Sequence, residues 1–408
     1  MKRSLARRRI AQKVVALAFL GLGMLTTGCS GRNVRPDGLH NTNQGATVQS
    51  IEMEDLHITV GKGSKAGEED FTAYDAPTLF READALFDGD KFADAAQGYE
   101  KLVVEFADSP WAPPSLFNAA LSYEALGRFG EASDRYKRLL ALYPTSKQAK
   151  DAALRQAACL AEESRWVQSA EALALVEKRE DLNTGERLEA MARHGLALFE
   201  LKDHSGAEAK FQQSLAFVES RKEAEPLPGN FFVAMSQFYV AHIAHHRFRD
   251  LPLRLPQKQL ATDLDTKAKS FLLANGKYVE TIKLKNPTWA TAAGYHVGTL
   301  YRELYDSMIA APIPSEVNRG DSRVIYDLLL REQLRHLLGK AKDVLESNIK
   351  MAERIGVKNG WVERSTEQLS ELDKLLTSLD NPTPTATPGA APTPSRPAPR
   401  DNKSRATL

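Results

Sequence analysis

Three histidines fall within five residues, His242, His245 and His246, and imidazoles at that density are the first place to look for a metal ion. On a helix His242 and His246 lie one turn apart and could share an ion. No carboxylate stands between them as in a zinc protease, and no Cys or Asp beside them completes a ligand set, so no metal is expected and the trio reads as a polar helix face or a partner-contacting patch. The thiol of Cys159 could be a nucleophile, but it sits in the run Ala157-Ala158-Cys159-Leu160-Ala161 and reads as a small buried core residue. Gly61-Lys62-Gly63-Ser64-Lys65 carries glycine and lysine without the spacing of a phosphate loop. Tyr295-His296-Val297-Gly298 is better accounted for by helix packing than by a site. With no serine elbow, paired acids or redox cysteine pair, neither catalysis nor a cofactor is expected.

Cys29 has the strongest chemical signature. Lys2, Arg3, Arg7, Arg8, Arg9 and Lys13 precede an apolar run from Val14 to Leu25, which ends in Thr26-Thr27-Gly28-Cys29-Ser30. That layout is a secretory signal, and its apolar run is short of the roughly 20 residues that span a bilayer. Gly28-Cys29 at the edge of the run resembles the lipobox of bacterial lipoproteins, although Thr26 stands where that family prefers Leu, Val or Ile. The resemblance implies that Cys29 takes diacylglycerol through a thioether and becomes the acylated N-terminus. Several acyl chains suffice for stable anchoring. Ser30 in the next position implies sorting to the outer membrane, with the body on the periplasmic face.

Charge gives no reason to expect nucleic acid as a partner. Setting aside the six basic residues ahead of Cys29 leaves 48 basic against 53 acidic residues, a formal charge of −5, and no basic patch with interleaved aromatics occurs. Apart from Cys29 there is one cysteine, so no internal disulfide is expected. Composition divides the chain into a signal (1–28), a lipidated flexible tether (29–74), a folded body, and a Pro-rich tail (381–408). In that tail seven prolines fall between Pro382 and Pro399, and the expectation is an extended, disordered segment. Within the tether Ile58-Thr59-Val60 reads as a short strand.

The body repeats itself. Phe92, Ala95, Tyr99 and Leu102 recur 37 residues later as Phe129, Ala132, Tyr136 and Leu139, and again as Trp166, Ser169, Leu173 and Val176. A last step of 38 gives His204, Ala207, Phe211 and Ser214. Ahead of each set lies a small residue with a large one three positions on: Ala120 and Tyr123, Ala157 and Leu160, Gly195 and Leu198. Small residues suit the crossing of two helices, Gly89 and Gly127 fall at the turns, and Pro144 stops a helix at a repeat boundary. These offsets resemble the tetratricopeptide repeat (TPR), whose usual period is about 34. The resemblance implies an all-α, superhelical array of helix-turn-helix repeats. Regular repeats cover 75–220, and divergent repeats with capping helices cover 221–380.

In that second part helices are expected near 230–248 and 260–284, interrupted by Pro252 and Pro256. Asn286-Pro287-Thr288-Trp289 opens a helix carrying Gly298 and Tyr301, and long helices follow near 322–356 and 360–379. Stacked helix pairs present an extended surface to a partner. The lipobox with the repeats resembles the TPR lipoprotein of the β-barrel assembly machine. The segment from Asn286 to Tyr301 with Ala311-Pro312-Ile313-Pro314 is more similar to TPR lipoproteins of the myxobacterial gliding-motility envelope complex. Those resemblances imply a non-catalytic adaptor that contacts other envelope proteins and the membrane. A cell-wall reading, in which the body coordinates enzymes on peptidoglycan, is the alternative from another class.

Overall fold

The computed structural model describes residues 57–62 and 69–380. Cys29, the signal, Gly63-Ser64-Lys65 and the Pro-rich segment lie outside the described residues. Two antiparallel strands come first, β1 (His57–Lys62) and β2 (Glu69–Tyr74), paired so that Val60 faces Phe71. These strands fall within the tether expected over 29–74, and β1 contains the expected strand Ile58-Thr59-Val60. The β-branched run Ile58-Thr59-Val60 finds a matching run in Phe71-Thr72-Ala73-Tyr74, and such side chains favour the pleated backbone. Tyr74 is buried against Phe106, ring centroids 6.3 Å apart, with the Lys101 ammonium over its face, so β2 is fastened to the first helix pair.

Thirteen α-helices follow among the described residues, and the chain divides into two compact units between Gln213 and Ser214. In the first unit the helices pair as α1 (Ala76–Asp88) with α2 (Phe92–Glu105), α3 (Ala112–Ala125) with α4 (Phe129–Leu142), and α5 (Ala149–Glu162) with α6 (Trp166–Val176). Then come α7 (Thr184–Glu200) and α8 (His204–Glu219). Each second helix begins on the residue the period marks: Phe92, Phe129, Trp166 and His204. The backbone repeats to the same accuracy. Asp90, Gly127, Ser164 and Lys202 all take left-handed φ, between 58° and 70°, in the turn between paired helices. In the first pair the left-handed residue is Asp90 and not its neighbour Gly89, since Asp also tolerates this region through its short polar side chain.

Helix crossings explain the small residues. Ala95, Ala120, Ala132, Ala157 and Ala207 are completely buried. At Gly195 a Cβ would stand 2.6 Å from the Phe211 ring, so the phenylalanine occupies the space that alanine leaves to Tyr136 and Leu173 in the other pairs. Tyr99, Tyr136 and Phe211 are themselves fully buried. Phe92 and Phe129 are half-buried, and Pro144 is exposed just after α4, where no further helical hydrogen bond is needed. Besides its neighbours in sequence, α5 also touches α7. The first helices of the third and fourth pairs therefore approach one another.

The second unit holds α9 (Phe231–Asp250), α10 (Gln257–Lys283), α11 (Pro287–Ile309), α12 (Gly320–Ile355) and α13 (Gly360–Asp380). Here α9 meets α11 and α11 meets α13 in addition to their sequence neighbours, making α11 the central helix. Along α12 the buried positions Leu334, Leu338, Ala341, Leu345, Asn348 and Ala352 alternate in steps of four and three. That is the spacing of a helix packed along one seam. Gly298 admits Leu345 to that seam, since a Cβ there would stand 2.5 Å from the leucine side chain. Tyr301 packs edge-on against Phe271 at 4.9 Å.

Candidate functional site

Chemistry-bearing side chains converge in the second unit, on α9, α10 and α11. The N-terminus of α9 is fixed by Asn230, whose side-chain oxygen accepts from the backbone N–H groups of Phe232 (2.9 Å) and Val233 (3.2 Å). At its other end the Lys267 ammonium, almost fully buried, donates to the carbonyls of Phe248 (3.1 Å) and Leu251 (2.9 Å). A cation there satisfies carbonyls that the helix leaves unpaired and opposes its dipole. Burial lowers the Lys267 pKa, so this contact carries a desolvation cost.

Between those fixed ends one face of α9 presents Phe238, His242, His245 and Arg249, spaced four, three and four apart. The facing stripe of α11 presents Trp289, His296 and Glu303, each seven apart. Tyr278 enters from α10, and its hydroxyl lies 3.0 Å from His242 Nδ1 and 3.1 Å from His245 Nδ1. The other nitrogen of His245, Nε2, lies 3.0 Å from Glu303 Oε2, and Arg249 closes on the same carboxylate at 2.9 Å. The His296 ring stacks on Tyr278 with an interplanar angle of 8° and lies 4.8 Å from His242 between centroids. Phe238, Trp289 and Trp361 wall the group, with Phe238 touching both indoles and three of the other rings.

The electrostatics follow from this burial. Desolvation opposes ionisation of Glu303, but hydrogen bonds and charge from His245 and Arg249 outweigh it and hold the carboxyl at about 2. A carboxylate only accepts, so His245 Nε2 carries the proton it shares with Glu303. His245 Nδ1, on the other side of the ring, lies against the Tyr278 hydroxyl, which also meets His242 Nδ1. Burial pulls the pKa values of His242 and His296 well below the ordinary histidine range, with neighbouring imidazoles adding to the effect. Burial also pushes Tyr278 well above its ordinary value. The result is a chain of oriented hydrogen-bonding groups ending on one ionised carboxylate.

Sequence reasoning placed His242, His245 and His246 together but paired the wrong two. His245, not His246, joins His242 at the Tyr278 hydroxyl, while the His246 ring packs 4.7 Å from that of His242. His296 reads in the sequence as helix packing, and Tyr278 and Glu303 carry no motif of their own. The legible signal was the seven-residue spacing of Trp289, His296 and Glu303, which marks one helical stripe carrying three polar-capable groups.

In the first unit several charged and aromatic groups meet at repeat junctions. Glu124 accepts from the Tyr136 hydroxyl (2.6 Å) and from Arg155 (2.8 Å), tying α3 to α4 and α5. Tyr123 lies under the guanidinium groups of both Arg128 and Arg135. Cys159 is buried beside Glu124, and burial followed by that charge pushes its thiol far above the ordinary range, the opposite of an activated nucleophile. Two surface depressions, along Thr366–Thr377 and around Gly229 and Lys285, are lined by no residue of the histidine cluster.

One helix pair of the array matches a known repeat family. Residues 115–146 match the family described as "Tetratricopeptide repeat". No curated protein matches the chain. Among solved structures, the C-terminal part of a TPR repeat-containing protein from Cytophaga hutchinsonii is 13% identical, with a TM-score of 0.38, covering 74% of this chain and 98% of that one. A tetratricopeptide repeat protein from Parabacteroides merdae is 12% identical, with a TM-score of 0.35, covering 75% and 99%. MamA from Desulfovibrio magneticus is 13% identical, with a TM-score of 0.33, covering 50% and 97%.

Proposed function

We propose that this chain is a non-catalytic scaffold of the bacterial cell envelope, anchored by lipid on Cys29 to the periplasmic face of the outer membrane and joining other envelope proteins. TPR-type stacks are protein–protein interaction modules, and the observation that carries the general reading is the recurrence of one helix pair. The turn conformation repeats at Asp90, Gly127, Ser164 and Lys202, so four like helix pairs follow one another along the chain. The membrane anchor rests on the arrangement around Gly28-Cys29. The lean towards a gliding-motility machinery rests on the Asn286–Tyr301 segment. β-barrel assembly and coordination of peptidoglycan enzymes are the alternatives.

A contact surface is also at hand. On the first turns of α12, Val324, Ile325, Leu328 and Leu329 are each more than half exposed, whereas the same helix is buried along its seam from Leu334 onwards. Four clustered aliphatic side chains on one exposed helix suit a partner's apolar segment. Flanking Arg323, Asp327, Arg331 and Glu332 supply both charge signs at its border.

Photo-crosslinking in intact envelopes tests this reading. A crosslinker in place of Leu328 should trap one defined envelope protein, and Leu328→Asp should abolish the adduct. Capture of a second copy alone would make the stripe a self-association surface and remove the scaffold reading of it. The identity of the trapped partner decides between motility, barrel assembly and wall enzymes. Cys29→Ala should leave the repeats folded and move the protein out of the membrane fraction; retention there would overturn the anchor.

A further inference from the structure

Histidines on α9 alone do not make a metal site; α11 supplies what they lack. One ring nitrogen from each of His242, His245 and His296 lies within 4.8 Å of the other two. His296 Nδ1 is buried without a hydrogen-bond partner. An orphaned buried polar atom costs about 1–3 kcal/mol, so its presence at the centre of a histidine cluster points to a ligand. Glu303 stands behind His245 on Nε2, which leaves Nδ1 as the nitrogen with a lone pair facing the cluster. A carboxylate on the far nitrogen is how proteins fix the tautomer and raise the basicity of a metal-binding imidazole.

We propose that His242, His245 and His296 form a binding site for one divalent transition-metal ion of the zinc or cobalt type, with the Tyr278 hydroxyl beside an open fourth position. Three neutral imidazoles without a thiolate suit Zn²⁺, Co²⁺, Ni²⁺ or Cu²⁺ and not the oxygen-seeking Mg²⁺ or Ca²⁺. Metal–nitrogen bonds of about 2.0–2.1 Å in a tetrahedral site put ligand nitrogens roughly 3.4 Å apart. The rings must therefore draw together by about an ångström on loading, and Tyr278 must yield its hydrogen bond to His245. Phe238, Trp289 and Trp361 exclude water around the ion. The expectation of no metal came from α9 alone and is revised by the contribution of α11.

The full chain, purified in detergent without a polyhistidine sequence and stripped of metal, is titrated with Co²⁺ and then Zn²⁺. One ion per chain should bind, with the visible absorption of four- or five-coordinate cobalt that zinc then displaces. His296→Gln should weaken binding at least about 100-fold and Glu303→Gln by about 10–100-fold. His336→Gln, an exposed histidine on α12, should change nothing. X-ray absorption of the zinc-loaded unmodified protein should report three imidazoles, a readout that holds even if a variant fails to fold. Absence of stoichiometric binding, fewer than three imidazoles, or affinity unchanged in folded His296→Gln would each overturn the site.

Discussion

The two units pack helices with different materials. In the first, crossings are made by Ala95, Ala120, Ala132, Ala157, Gly195 and Ala207 against one large side chain per pair, and ion pairs such as Glu124–Arg155 stay at the junctions. The first also buries Asp84 and small polar groups such as Ser115, Asn118 and Ser122, but the second adds His245, Asp263 and Lys267 to its buried Thr281, Thr291, Asn348 and Ser365. A repeat interface built on size can be copied and stacked. A buried polar network cannot, because every member needs its own partner. The first unit is thus modular, and the second is a single interlocked assembly.

Removing one ring from each unit tests that contrast most severely. Phe211→Ala and Phe238→Ala each delete a buried aromatic and should each cost about 3–5 kcal/mol. Hydrogen exchange should separate them. Loss at Phe211 should raise exchange chiefly in α7 and α8, as nearest-neighbour coupling in a repeat array dictates. Loss at Phe238, which touches Trp289, His242, Tyr278, His296 and Trp361, should raise it across α9 to α13 together. Equal spread in both variants would erase the distinction.

Overfilling is the next smaller perturbation. Gly195→Ala sets a methyl against Phe211, and Gly298→Ala sets one against Leu345. Each should destabilise by about 1–3 kcal/mol in denaturant titrations. The Phe211 ring is bulky and enclosed, whereas Leu345 can change rotamer, so the first substitution should cost more.

Acid should act on the units unequally. For His242 and His296 the folded pKa lies below the unfolded value of about 6.5, so the unfolded chain binds more protons once pH falls below that value. Stability is full above about 6.5 and is lost on acidification by about 1.4 kcal/mol per pH unit for each histidine, down to its folded pKa. Glu303, held at about 2 against an ordinary 4.5, adds a second loss between those values. Melting followed through Trp289 and Trp361 in the second unit should therefore shift downward between pH 6.5 and 5. Replacing His242 and His296 together by Gln should flatten the shift.

Legibility in the sequence tracks the same contrast. Phe92, Phe129, Trp166 and His204 announce helix starts because a repeat ties each residue's role to its position in the period. Asn286-Pro287 likewise announces α11, since the Asn side chain caps the helix by accepting from Trp289 N–H at 3.2 Å. What stayed hidden is joint action across helices. His242 lies 54 residues from His296, and no local pattern says that α9 and α11 meet when α10 intervenes. The β1–β2 pairing was half visible: Ile58-Thr59-Val60 reads as a strand, but no local pattern names Phe71-Thr72-Ala73-Tyr74 as its partner. Asn348 was invisible as well. Its amide donates to Thr291 carbonyl and Ser365 hydroxyl, both at 3.0 Å, fixing α11, α12 and α13 against each other from inside an otherwise apolar seam.

The mildest change is also the cleanest comparison, because it is chemically identical in both units. Asn183 caps α7, its side chain accepting from Glu186 N–H at 2.9 Å while Glu186 answers on the Asn183 N–H at 2.8 Å. Asn230 caps α9 by accepting from two N–H groups. Replacing either by Ala leaves packing untouched and should cost about 1 kcal/mol. In the modular unit that loss should appear as fraying of the first turn of α7, with protection elsewhere unchanged. In the interlocked unit the start of α9 precedes Phe238, His242 and His245 on one continuous helix, so a frayed cap loosens the platform on which the rings are aligned. Amide exchange in Asn230→Ala should rise by a common factor of about five along α9 and α11, the factor that 1 kcal/mol corresponds to. If it rises only at residues 231–234, the second unit is as modular as the first, and its polar interior adds specificity without adding cooperativity.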